Sequence, residues 1–407
     1  MELVAPAGTP EKLKTALHFG ADAVYLGMKK FSMRAYAGNF DADQLEWALD
    51  YAHERGRKVY VTVNILPDEE DLDGIDELLR LLARLRPDGI IVGDPGVFDS
   101  AKKLASGIPV HLSTQLSTTT SRAANFWFSR GISRIVLARE LSLDQLTRIV
   151  ASSNGPLEVF AHGAVCIAYS GRCLLSLYWA GRDARKGACA QGCRWPYKAL
   201  LVDGRHPDRP APVVEDDRGT HFFDAADLCS LPVLDRLVAT GVSALKIEGR
   251  TRSQHYLGIV TDVYRQALDQ LKDGDLVGFK AVLDERLAEL RRPVFRGHST
   301  HFLTGDQDRY EVYNPEGSAL SGRNDFLGKV VAVSSSHIDI DVRFPFHPGQ
   351  PAELRDAGKK VIPLTVEQVT AVDGTVLDFA RPGIIVRIAG SYAVSPGTLF
   401  RTGEESP

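Results

Sequence analysis

Short β-branched runs alternate with amphipathic stretches through the first 290 residues of this chain. "ELVAPAG" leads into "TPEKLKTALHFG", and "DAVYLG" into "DADQLEWALDYAHERG", where Leu45, Ala48, Leu49 and Ala52 recur at helical spacing. "KVYVTVN" precedes "DEEDLDGIDELLRLLARLR", whose acidic start and basic end suit the macrodipole of a long helix. "GIIVGD", "VHLSTQL", "RIVLAR" and "LEVFAHG" supply four more strands, spaced by the helices "GVFDSAKKLASG", "SRAANFWFSRG" and "SLDQLTRIVASS". "SALKIEGR" makes the eighth strand and "HYLGIVTDVYRQALDQL" the helix behind it. Strands this apolar need cover on both faces, and eight right-handed βα units close into a TIM (β/α)8-type barrel. The rival, an open doubly wound sheet, would carry a glycine-rich phosphate loop after its first strand, and "APAGTP" is a poor one.

Between the seventh and eighth strands the chain runs from Gly163 to Ser243, about eighty residues where a βα connection needs only a few. All five cysteines, Cys166, Cys173, Cys189, Cys193 and Cys229, lie in that insertion. An odd number of thiols in a large chain with no secretory leader argues against a disulfide framework and suggests a metal or cluster site. Their spacings match neither a zinc finger nor the bacterial ferredoxin run, so spacing alone leaves the cluster type open. After Arg291 the pattern changes to short alternating strands, "HFLTG", "FLGKVVAVSSSHIDIDV", "QPAELRD", "KKVIPLTVEQVTAVDGTVLDF" and "IIVRIAGSYAVS", parted by turn residues. These predict a small antiparallel β-barrel over 291–407 beside a barrel domain over 1–290, with "VDGTV" as a hairpin turn. A net charge of −4 excludes binding to nucleic acid through overall basic charge, so any polyanion has to be gripped locally. "MELVAPAG" has no basic leader, and no run of about eighteen apolar residues follows anywhere, which predicts a soluble, cytoplasmic protein.

In a barrel of this kind chemistry sits on the loops at the C-terminal ends of the strands. Polar residues end the apolar runs there: Asn64 closes "VYVTVN", Gln115 "HLSTQ", Arg139 "IVLAR", His162 "VFAH", and Glu248 with Arg250 "LKIEGR". His162, Glu248, Asn64 and Gln115 are the candidate catalytic groups, His162 as a general base or else a core histidine holding the strand end. Arg34, Arg139 and Arg250 could bind a dicarboxylate, because guanidinium forks match carboxylates bidentately, and they would equally suit an RNA phosphate. Glu158 within "LEVFA" would be costly if buried alone, and Lys246 on the eighth strand is its expected partner. "GRDARKGACAQGCRWPYK" sets Arg182, Arg185, Lys186, Arg194 and Lys198 among Trp195 and Tyr197, with Trp179 just ahead of it. Charge draws in a backbone and rings stack on unpaired bases, so this stretch is a candidate RNA contact; the alternative is a solvated loop.

"EVFAHGAVCIAYSGRCLLS" combines Glu, Phe, a Gly-small-aliphatic-Cys, a Gly-x-Cys and an aliphatic-Ser pair, and it resembles the signature of the peptidase U32 family, once described as collagenase-like proteases. "LVAPAGTPEKLKTALHFGADAVYLG", "RAYAGNF", "RDARKGACAQGCRWPY", "ADLCSLPVLDRLVATGVSALKIEGRTRS" and "YRQALD" are similar to the same family, so the resemblance spans residues 1–270. "NPEGSALSGRNDFLGKV" resembles the β-barrel appendage of its longer members. The resemblance implies one of three activities: hydroxylation of a tRNA or rRNA pyrimidine with prephenate as oxygen source, a partner role in oxygen-independent ubiquinone hydroxylation, or proteolysis. It further implies a 4Fe-4S cluster, with Cys166, Cys173, Cys189 and Cys229 as ligands and Cys193 as an alternative. The extended β-region favours the RNA enzyme, since the ubiquinone partners end near the barrel. Proteolysis lacks a visible nucleophile with an adjacent base, or an HExxH pattern.

Overall fold

The structure, a computed structural model, describes residues 1–166, 168–170, 172–195, 214–216, 219–221, 226–293, 297–305 and 325–403. Seven strands, β1 (Glu2–Ala7), β2 (Ala23–Gly27), β3 (Lys58–Val63), β4 (Gly89–Val92), β5 (Val110–Leu112), β6 (Arg134–Val136) and β7 (Leu157–Ala164), pair in parallel, each with the next. Between them run the helices α1 (Pro10–His18), α2 (Ala42–His53), α3 (Leu72–Leu85), α4 (Pro95–Leu104), α5 (Ser121–Phe128) and α6 (Leu143–Ala151). Beyond β7 come α7 (Leu175–Ala180), the hairpin β8 (Val214–Asp216) and β9 (Gly219–His221), then β10 (Asp227–Cys229) and α8 (Leu234–Ala239). The ring closes through β11 (Ala244–Ile247), which pairs with both β1 and β7. The helices α9 (Gln254–Lys272), α10 (Leu276–Ala281) and α11 (Leu283–Arg291) follow, then β12 (His298–Ser299), and β12 pairs with β10, itself antiparallel to the end of β7. No described helix is long and apolar enough to cross a membrane.

Local chemistry starts these helices where the alternation predicts. Thr9, Asp41, Asp94, Thr120, Ser142 and Ser253 each turn a side-chain oxygen onto a backbone N–H of the first helical turn, worth about 1 kcal/mol apiece. Two expected strands are shorter than predicted, β5 stopping at Leu112 and β6 at Val136. Thr114–Leu116 instead forms a short 3-10 turn in which the Thr114 hydroxyl donates to the Leu137 carbonyl. "HFLTG" is likewise a 3-10 turn at His301–Thr304, not a strand: His301 has a φ of 48° and its ring bonds the Ala226 carbonyl at 2.8 Å, a conformation that breaks extended pairing.

The barrel interior is partly charged. Arg134 lies 2.7 Å from Glu2 and 3.2 Å from Glu158, and Lys246 lies 2.7 Å from the other oxygen of Glu158, the ion pair expected from adjacent strands. Beyond the barrel, β13 (Phe326–Val333), β14 (His337–Val342), β15 (Pro351–Arg355), β16 (Ile362–Thr365), β17 (Val369–Ala371), β18 (Val376–Leu377), β19 (Ile385–Ala389) and β20 (Leu399–Thr402) form an antiparallel half-barrel. Its order is β16-β15-β20-β13-β14-β19-β17-β18, and the "VDGTV" hairpin pairs Val369 with Leu377. Val330, Ile338, Ile340, Phe346, Leu354 and Phe400 build its separate core.

Candidate active site at the barrel mouth

A small cavity of about 50 Å³ opens at the C-terminal ends of the barrel strands. Tyr25 from β2, Arg34 from the loop after it, Thr62 and Asn64 at β3, Ser113 to Gln115 after β5, Arg139 after β6, Phe160 in β7, and Lys246, Glu248 and Arg250 at β11 line it. Six of the strand-end and loop residues picked out from the sequence, Asn64, Gln115, Arg34, Arg139, Glu248 and Arg250, are thus brought to one place. The Asn64 carboxamide accepts from the Met33 N–H at 3.2 Å and donates to Ser113 and Gln115 at 3.4 Å each. Ser113 in turn donates to the side-chain Oε1 of Gln115. Arg250 donates to Ser32 at 2.8 Å and Thr62 at 3.2 Å. A Cβ at position 27 would lie 2.2 Å from the Arg250 guanidinium, so any larger residue there would displace Arg250 or Ser32.

Three guanidiniums, Arg34, Arg139 and Arg250, share the lining with one carboxylate, Glu248, while Lys246 at the floor is paired with Glu158. Burial alone would raise the Glu248 carboxyl, but Arg34 at 3.1 Å, together with Arg139 and Arg252, holds it below the usual range. Burial pulls Arg250 down to about 10. Arg139 donates to the Ala164 carbonyl at 2.7 Å and Ser170 at 3.1 Å while its guanidinium sits 4.4 Å from the Phe160 ring centroid. Its Nε is buried with no hydrogen-bond partner among the described residues, a donor left over for an anion. The arrangement suits a small, multiply charged anion seated against a hydrogen-bonding wall.

His162 does not join this group. β7 carries one extra residue against β11, so Lys246 stands opposite Phe160 but Ile247 opposite His162. That bulge turns the imidazole out of the barrel and against α9, 5.5 Å from the Tyr264 ring, 5.8 Å from Tyr256 and 5.2 Å from His298. Burial pushes its pKa well below 6.5. The alternative read from the sequence, a core histidine at the strand end, describes its place. Tyr25, Thr62, Ser113 and Lys246 were not among the strand-end candidates, yet for Tyr25, Thr62 and Lys246 the inward alternation of β2, β3 and β11 carried the signal.

The insertion folds over one side of the mouth. Lys186 pairs with Asp68 at 2.6 Å and Asp71 at 2.9 Å, and Arg185 with Asp183 at 2.7 Å. Leu66 N–H donates to the Arg185 carbonyl and Ala35 N–H to the Gly187 carbonyl, both at 3.2 Å. Two expected RNA contacts, Arg185 and Lys186, are therefore occupied in clasping the insertion to the loops after β2 and β3. The acidic "DEED" run that reads as a helix start is half of that clasp. Arg182 lies 4.6 Å from the Tyr36 ring centroid and donates to the Ala188 and Cys189 carbonyls. Trp195 is exposed and its ring N–H donates to the Ala190 carbonyl. The Arg194 side chain, Tyr197, Lys198 and the "NPEGSALSGRN" stretch lie outside the described residues.

Cys166 follows β7 close enough to Arg34 that, with Glu248, it opposes the lowering of that guanidinium by burial and raises it overall. Cys166 and Cys189 are exposed, Cys173 and Cys193 half-buried. Cys229 is fully buried on β10, paired in register with His162 and contacted by the Tyr264 hydroxyl, and burial pushes its thiol up to about 11. Among the described residues no three His, Cys, Asp or Glu side chains are arranged to hold a metal ion, so the five thiols do not form a ready donor set for a cluster.

A family model described as peptidase family U32 matches residues 8–312. The tRNA hydroxylation protein P1 of Bacillus subtilis (strain 168) is 34% identical over 406 residues, which cover 99% of this chain and 95% of that protein. The tRNA hydroxylation protein P of Helicobacter pylori (strain J99) is 43% identical over 272 residues, 66% of this chain and 64% of its own. A 23S rRNA 5-hydroxycytidine synthase of Escherichia coli (strain K12) is 33% identical over 354 residues, 86% of this chain and 52% of its own.

Proposed function

The chain belongs to peptidase family U32, and on that premise we propose that it hydroxylates a pyrimidine of tRNA or rRNA, using a prephenate-like dicarboxylate as oxygen donor. The cationic, donor-lined barrel mouth carries this reading. Replacing a ring C–H by C–OH requires a co-substrate that delivers oxygen and accepts two electrons, and the dicarboxylate is assigned that part. Arg34, Arg139 and Arg250 bind its carboxylates, Glu248 holds Arg34 in position, and Asn64 with Gln115 offers amide donors and acceptors to the base edge or the donor. Likeness to a tRNA hydroxylation protein along almost the whole of both chains supports tRNA over rRNA. Proteolysis fits less well: among the described residues lining the mouth there is no histidine and no cysteine, hence no serine–histidine or cysteine–histidine pair.

A 4Fe-4S cluster belongs to the same proposal. Cys166, Cys173 and Cys189 with Cys229 or Cys193 would hold it, and it would supply one-electron chemistry beside the mouth. Since the thiols as placed do not converge, no step is routed through it. Anaerobic purification with iron and sulfide analysis reads out the cluster separately from activity.

The function is tested by nucleoside mass spectrometry of total tRNA and rRNA from a deletion strain. A hydroxylated pyrimidine should disappear, return with the wild-type gene, and return at no more than about a hundredth of the level with Arg250→Ala, which removes a charge-assisted carboxylate contact. An unchanged set of hydroxylated nucleosides would sink the proposal.

A further inference from the structure

A second opening lies beside the mouth and is much the larger. The mouth, at about 50 Å³, has room for roughly four waters, enough for one charged group and too little for a nucleotide. Ser117, Thr119, Ala168, Tyr169 and Arg172 line an open groove of about 510 Å³. Its two walls are the stretches that follow β5 and β7, and both are fastened to the strand end that carries Arg139. The Ala138 N–H donates to the Thr118 carbonyl at 3.1 Å, and the Arg139 guanidinium donates to Ser170 at 3.1 Å. Arg139 also lines the mouth, so one side chain is wall to the mouth and anchor to the groove.

The side chains of the groove suit a ligand of mixed character. Ser117 is held in left-handed backbone, φ 48°, a strained conformation for a serine. Its Oγ is buried with no hydrogen-bond partner among the described residues, and so is the Oγ1 of the neighbouring Thr118, which is 2% exposed. Arg172 is exposed and enters no ion pair among the described residues, in contrast to Arg185 and Lys186, and Tyr169 is 48% exposed. Resting on the RNA reading above, we infer that this groove seats one unpaired nucleotide of the RNA beside the base that is modified. Arg172 takes its phosphate, the Tyr169 ring stacks on its base, and Ser117 meets a ribose hydroxyl. The charge count chooses a nucleotide over the dicarboxylate. Among its lining residues the groove offers one cation, one ring and two hydroxyls beside the phenol, the inventory for a nucleotide with its single negative charge, whereas the guanidiniums that two carboxylates need stand in the mouth.

The test is fluorescence anisotropy of a labelled RNA hairpin with an unpaired pyrimidine loop, on the full chain purified anaerobically, each variant being matched to wild type in circular dichroism and iron content. Tyr169→Ala should weaken the hairpin by roughly five- to a hundred-fold, while Tyr169→Phe keeps the ring and should bind as wild type does. Arg172→Ala should weaken it by about ten-fold and lower the slope of log affinity against log salt by about 0.7, the share of one phosphate of a single strand. Ser117→Gly deletes the hydroxyl while relieving the left-handed strain, so it should weaken the hairpin by about three- to ten-fold with no loss of thermal stability. Calorimetric binding of malonate, a dicarboxylate that reports on the mouth, should be unchanged in all four variants. Folded alanine and glycine variants that bind the hairpin as wild type does overturn the groove's role and leave the RNA reading intact. So does a loss of malonate affinity with hairpin binding intact, which would give the groove to the small anion. A wild-type chain that binds no RNA overturns the groove's role and the RNA reading together.

Discussion

A column of alternating charge runs up the barrel axis, from Glu2 through Arg134 and Glu158 to Lys246 beneath the mouth. Each charge has a neighbour of opposite sign within 3.2 Å, which is what lets Glu158 and Lys246 persist as buried ions, while Glu2 and Arg134 are partly exposed. Lys246 does two things there. It neutralises Glu158, and its ammonium forms part of the cavity floor, 4.3 Å from the Tyr25 ring centroid. Lys246→Met leaves the carboxylate with Arg134 alone and should cost about 3 kcal/mol in urea unfolding, the low end for breaking a buried pair. Adding Glu158→Gln should recover most of that loss, because no unpaired charge then remains. Two losses that simply add would show that the pair is not coupled.

At the scale of elements, the connection after β7 acts through what it touches. Lys186 and the carbonyls of Arg185 and Gly187 tie the insertion to the loops that carry Asn64 and Arg34. Gly187 is the tight point: its φ is +81°, and a Cβ there would meet the Ser32 carbonyl oxygen at 2.4 Å and the Arg34 nitrogen at 3.0 Å. Gly187→Ala should therefore push the two loops apart and displace Arg34 without disturbing the strands. Hydrogen exchange should quicken at the amides of Arg34, Ala35, Ala37 and Leu66, which donate within or across this contact, while β1 to β4 keep their protection. Unchanged exchange at Ala35 and Leu66 would show that the clasp does not set the loops. The same scale accounts for His162. Its place in the strand was plain from the run of residues, whereas the direction of its side chain depended on a single extra residue in β7, which periodicity does not register.

Over the whole molecule, the half-barrel is locked to the barrel's outer helices by ions. Arg401 on β20 is 0% exposed, bonds both oxygens of Glu289 on α11 at 2.9 and 3.0 Å, and reaches Glu353 on β15 at 2.9 Å. Arg292 joins Asp325 and Glu353, and Arg355 joins Asp262 on α9. Arg401→Met removes the bidentate partner of Glu289 and leaves Glu353 to Arg292, so the interface should lose about 3 kcal/mol and a single calorimetric transition should part into two. One transition at an unchanged temperature would mean that the two bodies are held together by something else. What the sequence determined by itself was the local grammar. Eight apolar runs spaced by amphipathic helices specify the barrel, polar residues at the ends of those runs mark Asn64, Gln115, Arg139, Glu248 and Arg250 for its mouth, and neighbouring strands imply that Glu158 meets Lys246. Each of these follows from a period of two or 3.6 residues and from strand adjacency. Only the tertiary structure decided that Lys186 spends its charge on Asp68 and Asp71, that Cys229 lies buried on β10 while Cys166 stands exposed near Arg34, that His162 faces outward, and that Arg401 closes the interface. Those outcomes rest on contacts between segments far apart in the chain, where packing and charge neutralisation choose among partners that no local pattern distinguishes.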